Sequence, residues 1–300
     1  MPIVWDVSAR LLVRLIGHGG THDDRDRLLR LAGREGDATL RGVEVAVRDL
    51  GRAGVAMAAG LCALMICTAL LSGVFGMAGG LILIGVLLVI FPLPTAMVLH
   101  AVTQMASNGW RAILWWRHIV WKLIGFSVAG NMAAVALWSL TLYVPDKAVA
   151  LVMLGLSPFI VRAIPEKVMP RTFGPAQVAG TGFVSMMLML VTGVTGPLLD
   201  TMFLRSPLER KQIIATKAAC QLFSHGFKLI YFGALIEQAG SVEPWVLGMA
   251  VACSMIGTSL GKFLLEKLSD VQFRVWSNRL ITVLASYYVG YGVVLLMGLA

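Results

Sequence analysis

The sequence predicts an all-α integral membrane protein built from two inverted repeats, with broken or re-entrant helices after glycine-rich segments, about eight long helices and two short ones. Three observations carry that expectation. The composition is apolar, the apolar residues fall into stretches near the length of a membrane span, and several short motifs return in the same order in the second half of the chain.

Of the 300 residues, 58% are hydrophobic and only 14% are charged, against roughly 25% charged in a soluble domain. The charges are also unevenly placed. Residues 1–52 hold nine Arg against eight acids, whereas the remaining residues hold sixteen Lys or Arg against eight acids. Residues 1–52 therefore read as a polar N-terminal extension, followed by a first transmembrane repeat at 53–172 and a second at 173–300. Within the extension, Val7, Leu11, Leu12, Leu15 and Ile16 share one helical face beside Arg10 and Arg14. That pattern suits a helix lying on a lipid surface, or one packed on an end of the bundle. The first eighteen residues lack the uninterrupted apolar run and small-residue cleavage site of a secretory signal. Cys62, Cys67, Cys220 and Cys253 sit in apolar segments without metal-ligand spacing, so they are expected to pack rather than bind, and no metal or cofactor is expected.

A spanning helix needs about 20 apolar residues. On that basis full-length helices are predicted near 54–75, 95–117, 119–142, 147–164, 175–195, 208–233, 244–265 and 274–299. Two stretches are shorter: 81–91 after the cluster GVFGMAGG, and 197–205 after GVTG. Each continues a long helix after a break and is too short to cross alone, and backbone freed by such a break is tolerated only inside protein or beside a cavity.

The breaks expose the repeat. Ser72-Gly73-Val74-Phe75-Gly76 matches Thr192-Gly193-Val194-Thr195-Gly196, Pro92-Leu93 matches Pro207-Leu208, and QMASNGWR (104–111) matches QLFSHGFK (221–228). Each half then holds four long helices and one short one, and crossing parity inverts the second half relative to the first. Basic loops at 117–122, 162–171, 205–211 and 262–279 alternate with neutral or acidic turns, which places the basic loops in the cytoplasm and both termini outside. Arg48 and Arg52, beside the first span, pull the other way.

The matched segments carry polar stripes. On a helix, His100, Gln104, Ser107, Asn108 and Arg111 share one face, and so do Lys217, Gln221, Ser224, His225 and Lys228. Polar and ionisable groups inside a membrane are costly and by default line a cavity or pair with each other. Gln104 and Lys217 are predicted near the bilayer midplane; Arg111 and Lys228 lie nearer an interface, where cations reaching out to headgroups are the alternative. The stripes offer amides, hydroxyls and cations and contain no acid, so they suit an anion with several acceptor oxygens. Half-helices beginning after Gly76, Gly79 and Gly80, or after Gly196, would add backbone N–H groups and a positive dipole end to the same site. Helix-to-helix packing is the competing role for Gly73 and Gly76, which are spaced by three and four from each other and Ala69. Asp200, the one acid in the second short segment, is a candidate for carrying a coupling proton, or for neutralising Lys217 or Arg205.

At these motifs the chain resembles the TauE/SafE family of bacterial membrane transporters, through SGVFGMAGGLILIG in the first half and TGVTGPLLD with ATKAACQLFSHGFKLIYFG in the second. The resemblance covers roughly residues 54–299, although the second break lacks the denser glycine triplet of the family. It implies movement of small anions such as sulfite, sulfoacetate and related sulfonates, generally out of the cell, across the bacterial inner membrane. The expected function is thus a secondary transporter of a small oxyanion working by alternating access, with an anion channel as the alternative. An intramembrane enzyme is a weaker reading, since the histidines lack HExxH-type neighbours and acids are scarce. No nucleotide-binding loop or nucleic-acid feature is present in the sequence; the expected partners are the lipid bilayer, the anion and, as an option, further copies of the chain in a homo-oligomer.

Overall fold

A chain that must bury its backbone in hydrocarbon satisfies each N–H and C=O within its own segment, and this one does so with helices. The computed structural model describes residues 36–75, 78–164, 174–195, 198–199, 202–203, 206–235, 242–265 and 270–298, and all regular structure among them is helical. In chain order these are α1 (Gly36–Phe75), α2 (Ala78–Ile90), α3 (Leu93–Leu114), a 3-10 turn (Trp116–His118), α4 (Trp121–Ser139), α5 (Lys147–Ala163), α6 (Pro175–Thr192), α7 (Arg210–Ile230) running into a π-helical turn (Tyr231–Leu235), α8 (Pro244–Leu265) and α9 (Asp270–Leu296). The eight predicted long helices are all present, and α2 is the first of the two short ones. Of the second, residues 198–199 and 202–203 are helical; Gly196, Asp200 and Arg205 lie outside the described residues, as do Gly76 and the amphipathic stretch at 7–16.

Local chemistry sets the boundaries. Asp146 caps α5 by accepting from the Ala148 N–H at 2.7 Å, and a Glu209–Gln212 capping box starts α7. Pro94 and Pro175 fall in the first turns of α3 and α6, where a missing N–H costs nothing. Inside α5, Pro158 cannot donate to the Leu154 carbonyl, and the neighbouring Ser157 hydroxyl donates to it instead at 2.9 Å. The 40 residues of α1 extend about 60 Å at 1.5 Å per residue, twice the hydrocarbon thickness. Its apolar part is Gly54–Gly73, and the helix continues unbroken into the polar residues before it, so residues 36–53 are joined to the first span by helix.

Among the described residues five helices are long and apolar enough to cross a membrane: α1, α4, α6, α8 and α9. The chain is a multi-pass membrane protein. Helices α3 and α7 are long enough but too polar to join that group, and they carry the two matched motifs.

The packing explains where such polar helices fit. Helix α3 lies along α7, with His100 against Lys228, Met105 against Gly226 and Leu222 against Gly109, so the two run antiparallel. Around them α1 packs on α8 and α4 on α6, while α5 pairs with α9. Exchanging the halves, α1 for α6, α3 for α7, α4 for α8 and α5 for α9, leaves these pairings unchanged, and it also carries the α3–α8 contact onto α7–α4. Small residues let the outer pairs touch backbone to backbone: Gly130 lies against the Ala179 carbonyl, Gly257 against that of Ile66, and Gly155 against that of Ala285. Gly73 belongs to this set, since a Cβ there would sit 3.2 Å from Cα of Gly261. Of the two roles the sequence left for Gly73, packing is the one its surroundings match.

Candidate functional site

Helix α2 turns back on α1 at its first residues. A Cβ on Gly79 would collide with the Thr68 carbonyl and with Ser72, so only glycine allows this approach. The next residue, Gly80, has ordinary contact distance to the Gln104 amide, where its missing side chain leaves room. The first turn of this 13-residue helix therefore lies between α1 and α3, with Ala78, Gly79 and Gly80 all buried.

Beside that turn lies a small cavity with room for about one or two waters. Gln104, Asn108 and Arg111 of α3 line it together with Gln221 and His225 of α7. His100 and Gly80 close it on one side; Ser72 from the end of α1, with Val194 and Thr195 from the break after α6, complete the lining. Seven of the sequence-predicted site residues, His100, Gln104, Asn108, Arg111, Gln221, His225 and Gly80, thus meet in one place.

The polar atoms here are unevenly satisfied. Buried polar atoms in proteins are nearly always hydrogen-bonded, yet Ser72 Oγ, Gln104 Nε2, Thr195 Oγ1 and His225 Nδ1 are buried and have no hydrogen-bond partner among the described residues. All four belong to the cavity wall. Asn108 is held in place, its Nδ2 donating to the Gln104 carbonyl at 2.9 Å while its Oδ1 accepts from Arg111 Nη1 at 3.3 Å. The guanidinium is thereby positioned at the wall.

Lys228 is fully buried behind His100, and so is not an interfacial cation reaching for headgroups. Its Nζ lies 2.7 Å from His100 Nδ1 and donates to the Gly193 carbonyl at 3.0 Å. Gly193 ends α6 with a φ of 82°, a left-handed conformation that glycine adopts without strain. His100 Nε2 in turn lies 3.1 Å from the Gly80 carbonyl. Because a carbonyl only accepts, this contact fixes the proton on Nε2, and Nδ1 accepts from Lys228 Nζ. One lysine and one imidazole thus tie the two helix breaks together, Gly193 after α6 and Gly80 at the start of α2.

The remaining predicted site residues are placed elsewhere. Ser107 bonds Thr258 of α8, Oγ to Oγ1 at 2.7 Å, and Ser224 accepts from Asn131 Nδ2 of α4 at 2.8 Å while donating to the Cys220 carbonyl at 3.0 Å. Neither lines the cavity, and neither does the half-buried Lys217. Ser107 and Ser224 occupy matching positions in the two motifs, and their two bonds are related by the same exchange of helices. Conversely, Ser72 and Thr195 reach the cavity without having been singled out as site residues. Their signal in the sequence was their place inside the matched break motifs, where a short hydroxyl side chain adjoins a helix end.

Among the described residues no cluster of three or more His, Cys, Asp or Glu is arranged to hold a metal ion. The site is a set of hydrogen-bond donors and adaptable hydroxyls with a guanidinium, two imidazoles and a helix N-terminus around one cavity. Such a set complements an anion with several acceptor oxygens.

Comparison with known proteins agrees with that chemistry. No match was found among curated proteins or among solved structures. The family model described as Sulfite exporter TauE/SafE matches residues 61–288, which include both breaks, both matched helices and the whole cavity wall. The chain belongs to the TauE/SafE sulfite exporter family.

Proposed function

We propose that this protein exports a small oxyanion, sulfite or a sulfonate such as sulfoacetate, across the bacterial inner membrane by alternating access of two inverted repeats, residues 53–172 and 173–300. The observation that carries this reading is the convergence on one cavity, whose wall also holds Arg111, of four residues from α1, α3, α7 and the break after α6, each with a buried polar atom that has no partner among the described residues. A sulfur oxyanion presents acceptor oxygens in several directions, so a single ligand would satisfy donors arriving from both halves. The exchange-invariant pairing of helices supports two related halves, and the antiparallel run of α3 and α7 fits their inversion.

The motion would run along the α3–α7 seam. Ser107 holds α3 to α8, and Ser224 holds α7 to α4, so each side of the cavity carries one outer helix from the opposite half of the sequence. Parting the seam would open the cavity without breaking either contact.

Binding of sulfite, sulfoacetate and chloride to detergent-purified protein tests the site. Saturable binding of the sulfur oxyanions, weakened in both Gln104→Ala and Gln221→Ala, is expected. Equal affinity for chloride, or affinity unchanged in both variants, would remove the cavity from the mechanism. Counterflow in proteoliposomes then separates carrier from channel: a carrier accelerates labelled uptake when unlabelled anion is loaded inside, and a channel does not.

A further inference from the structure

The oxyanion reading leaves open what the two imidazoles do, and we propose that His225 takes up one proton when an anion occupies the cavity, with the Lys228–His100 pair keeping it neutral until then. This rests on the anion site described above and adds its coupling ion.

The geometry distinguishes the two histidines. Both nitrogens of His100 are engaged, Nε2 by the Gly80 carbonyl and Nδ1 by Lys228. A proton added to Nδ1 would replace the hydrogen bond from Lys228 with a contact between two cations. His225 differs: its ring centroid is 5.3 Å from that of His100, it lines the cavity, and its Nδ1 is buried without a partner among the described residues. In the tautomer that carries its proton on Nε2, Nδ1 is a base of the cavity wall without a partner among the described residues.

The electrostatics then set the order of events. The charged and titratable groups facing His225 are Lys228, one turn on along α7, and His100 and Arg111 from α3; Lys217 lies two turns away on α7. Tyr231, beyond Lys228, is occupied in donating to the Tyr143 carbonyl at 2.8 Å. From α1, α2 and the break after α6 the wall contributes Ser72, Gly80, Val194 and Thr195, none of which titrates near neutrality; Asp200 and Arg205 lie outside the described residues. Burial of the His225 ring first, and then the basic side chains of Lys228 and Arg111 beside it, oppose a charge there while the cavity is empty. An oxyanion entering the cavity supplies the opposite charge and reverses that balance. The step is a simple protonation: a proton from solution forms an N–H bond at Nδ1, converting imidazole to imidazolium, which donates to an anion oxygen. When the anion leaves, the proton returns to water, so one proton accompanies each anion.

Calorimetric titration of the purified full-length protein with methanesulfonate, whose charge is constant near neutrality, tests this in two cationic buffers of different ionisation enthalpy. The dependence of observed heat on buffer gives the number of protons taken up. In wild type the uptake should approach one proton per anion within the range of about pH 6 to 8 where histidine titrates. It should fall to nearly zero in His225→Gln, which keeps a hydrogen-bonding side chain without the titration, while affinity at the lower pH falls several-fold. Wild-type binding with no proton uptake across that range would overturn the proposal while leaving the anion site standing, and that measurement needs no variant to fold. Uptake that persists in a folded His225→Gln would overturn it equally. Absence of binding by methanesulfonate, sulfite and sulfoacetate alike would overturn both this inference and the anion site.

Discussion

Helices α3 and α7 carry the same polar spacing, and the structure uses matching positions in two different ways. At the centre the copies are alike: Gln104 and Gln221 both line the cavity. One step along, Ser107 and Ser224 also behave alike, each bonding an outer helix. At the ends the copies part. Arg111 stands at the cavity wall on an Asn108 hydrogen bond, whereas its counterpart Lys228 is fully buried between His100 and the Gly193 carbonyl. The duplicated features hold the framework and the central amides, and the divergent ones set where positive charge sits. The matched motifs thus place one basic side chain at the cavity and the other behind it.

The largest expected effect comes from breaking that asymmetry. Lys228→Met orphans a buried imidazole nitrogen and the Gly193 carbonyl, each worth about 1–3 kcal/mol when left unsatisfied. Removing the buried charge recovers part of this cost, and we expect a net loss of about 2 kcal/mol or more. Arg111→Met removes a cation at the cavity wall rather than a bridge between two breaks, so about 1 kcal/mol or less should be lost, with anion affinity reduced at least about tenfold. Melting temperatures in detergent together with binding isotherms check both variants. Similar destabilisation by the two would mean that Lys228 and Arg111 play the same part and that the asymmetry is only apparent.

This contrast marks how far the sequence was legible. The eight long helices were readable because a spanning helix needs a long apolar run, and the matched motifs were readable because they kept their order. The stripes on α3 and α7 were readable as faces, and the central amides fell where the stripes pointed. The direction of each serine was not. At about 100° per residue, Ser107 and Ser224 lie at one edge of their stripes and Asn108 and His225 at the other, and the neighbour beyond an edge depends on how helices distant in sequence pack. Lys228 was ambiguous for a related reason. Its partners, His100 and the Gly193 carbonyl, come from α3 and from the end of α6, and spacing along α7 carries no trace of either. The extent of α1 was missed because charge composition changes near residue 52 while the helix does not.

The second prediction sharpens the equivalence at the centre. Gln104→Ala and Gln221→Ala should each weaken sulfite or sulfonate binding by roughly ten- to hundredfold, the worth of a hydrogen bond to a charged ligand. Stability should change little in Gln104→Ala, because the Nε2 it removes has no partner among the described residues. Binding isotherms of the two variants under identical conditions decide the matter. A large loss in one and none in the other would place the anion on one helix, and the matched glutamines would then be a relic of duplication rather than a shared site.

The smallest effects separate framework from site. Ser107→Ala should cost about 1 kcal/mol through the lost bond to Thr258, and Ser224→Ala about the same through Asn131. Each pair, mutated singly and together, should show a coupling of about 0.5 kcal/mol or more. Anion affinity should remain within about twofold of wild type, since that corresponds to well under 1 kcal/mol and neither hydroxyl lines the cavity. A clear loss of affinity in either serine variant, without loss of stability, would mean that the hydroxyl turns toward the anion in some stage of transport, because an interhelical bond of this kind contributes to folding before it contributes to binding.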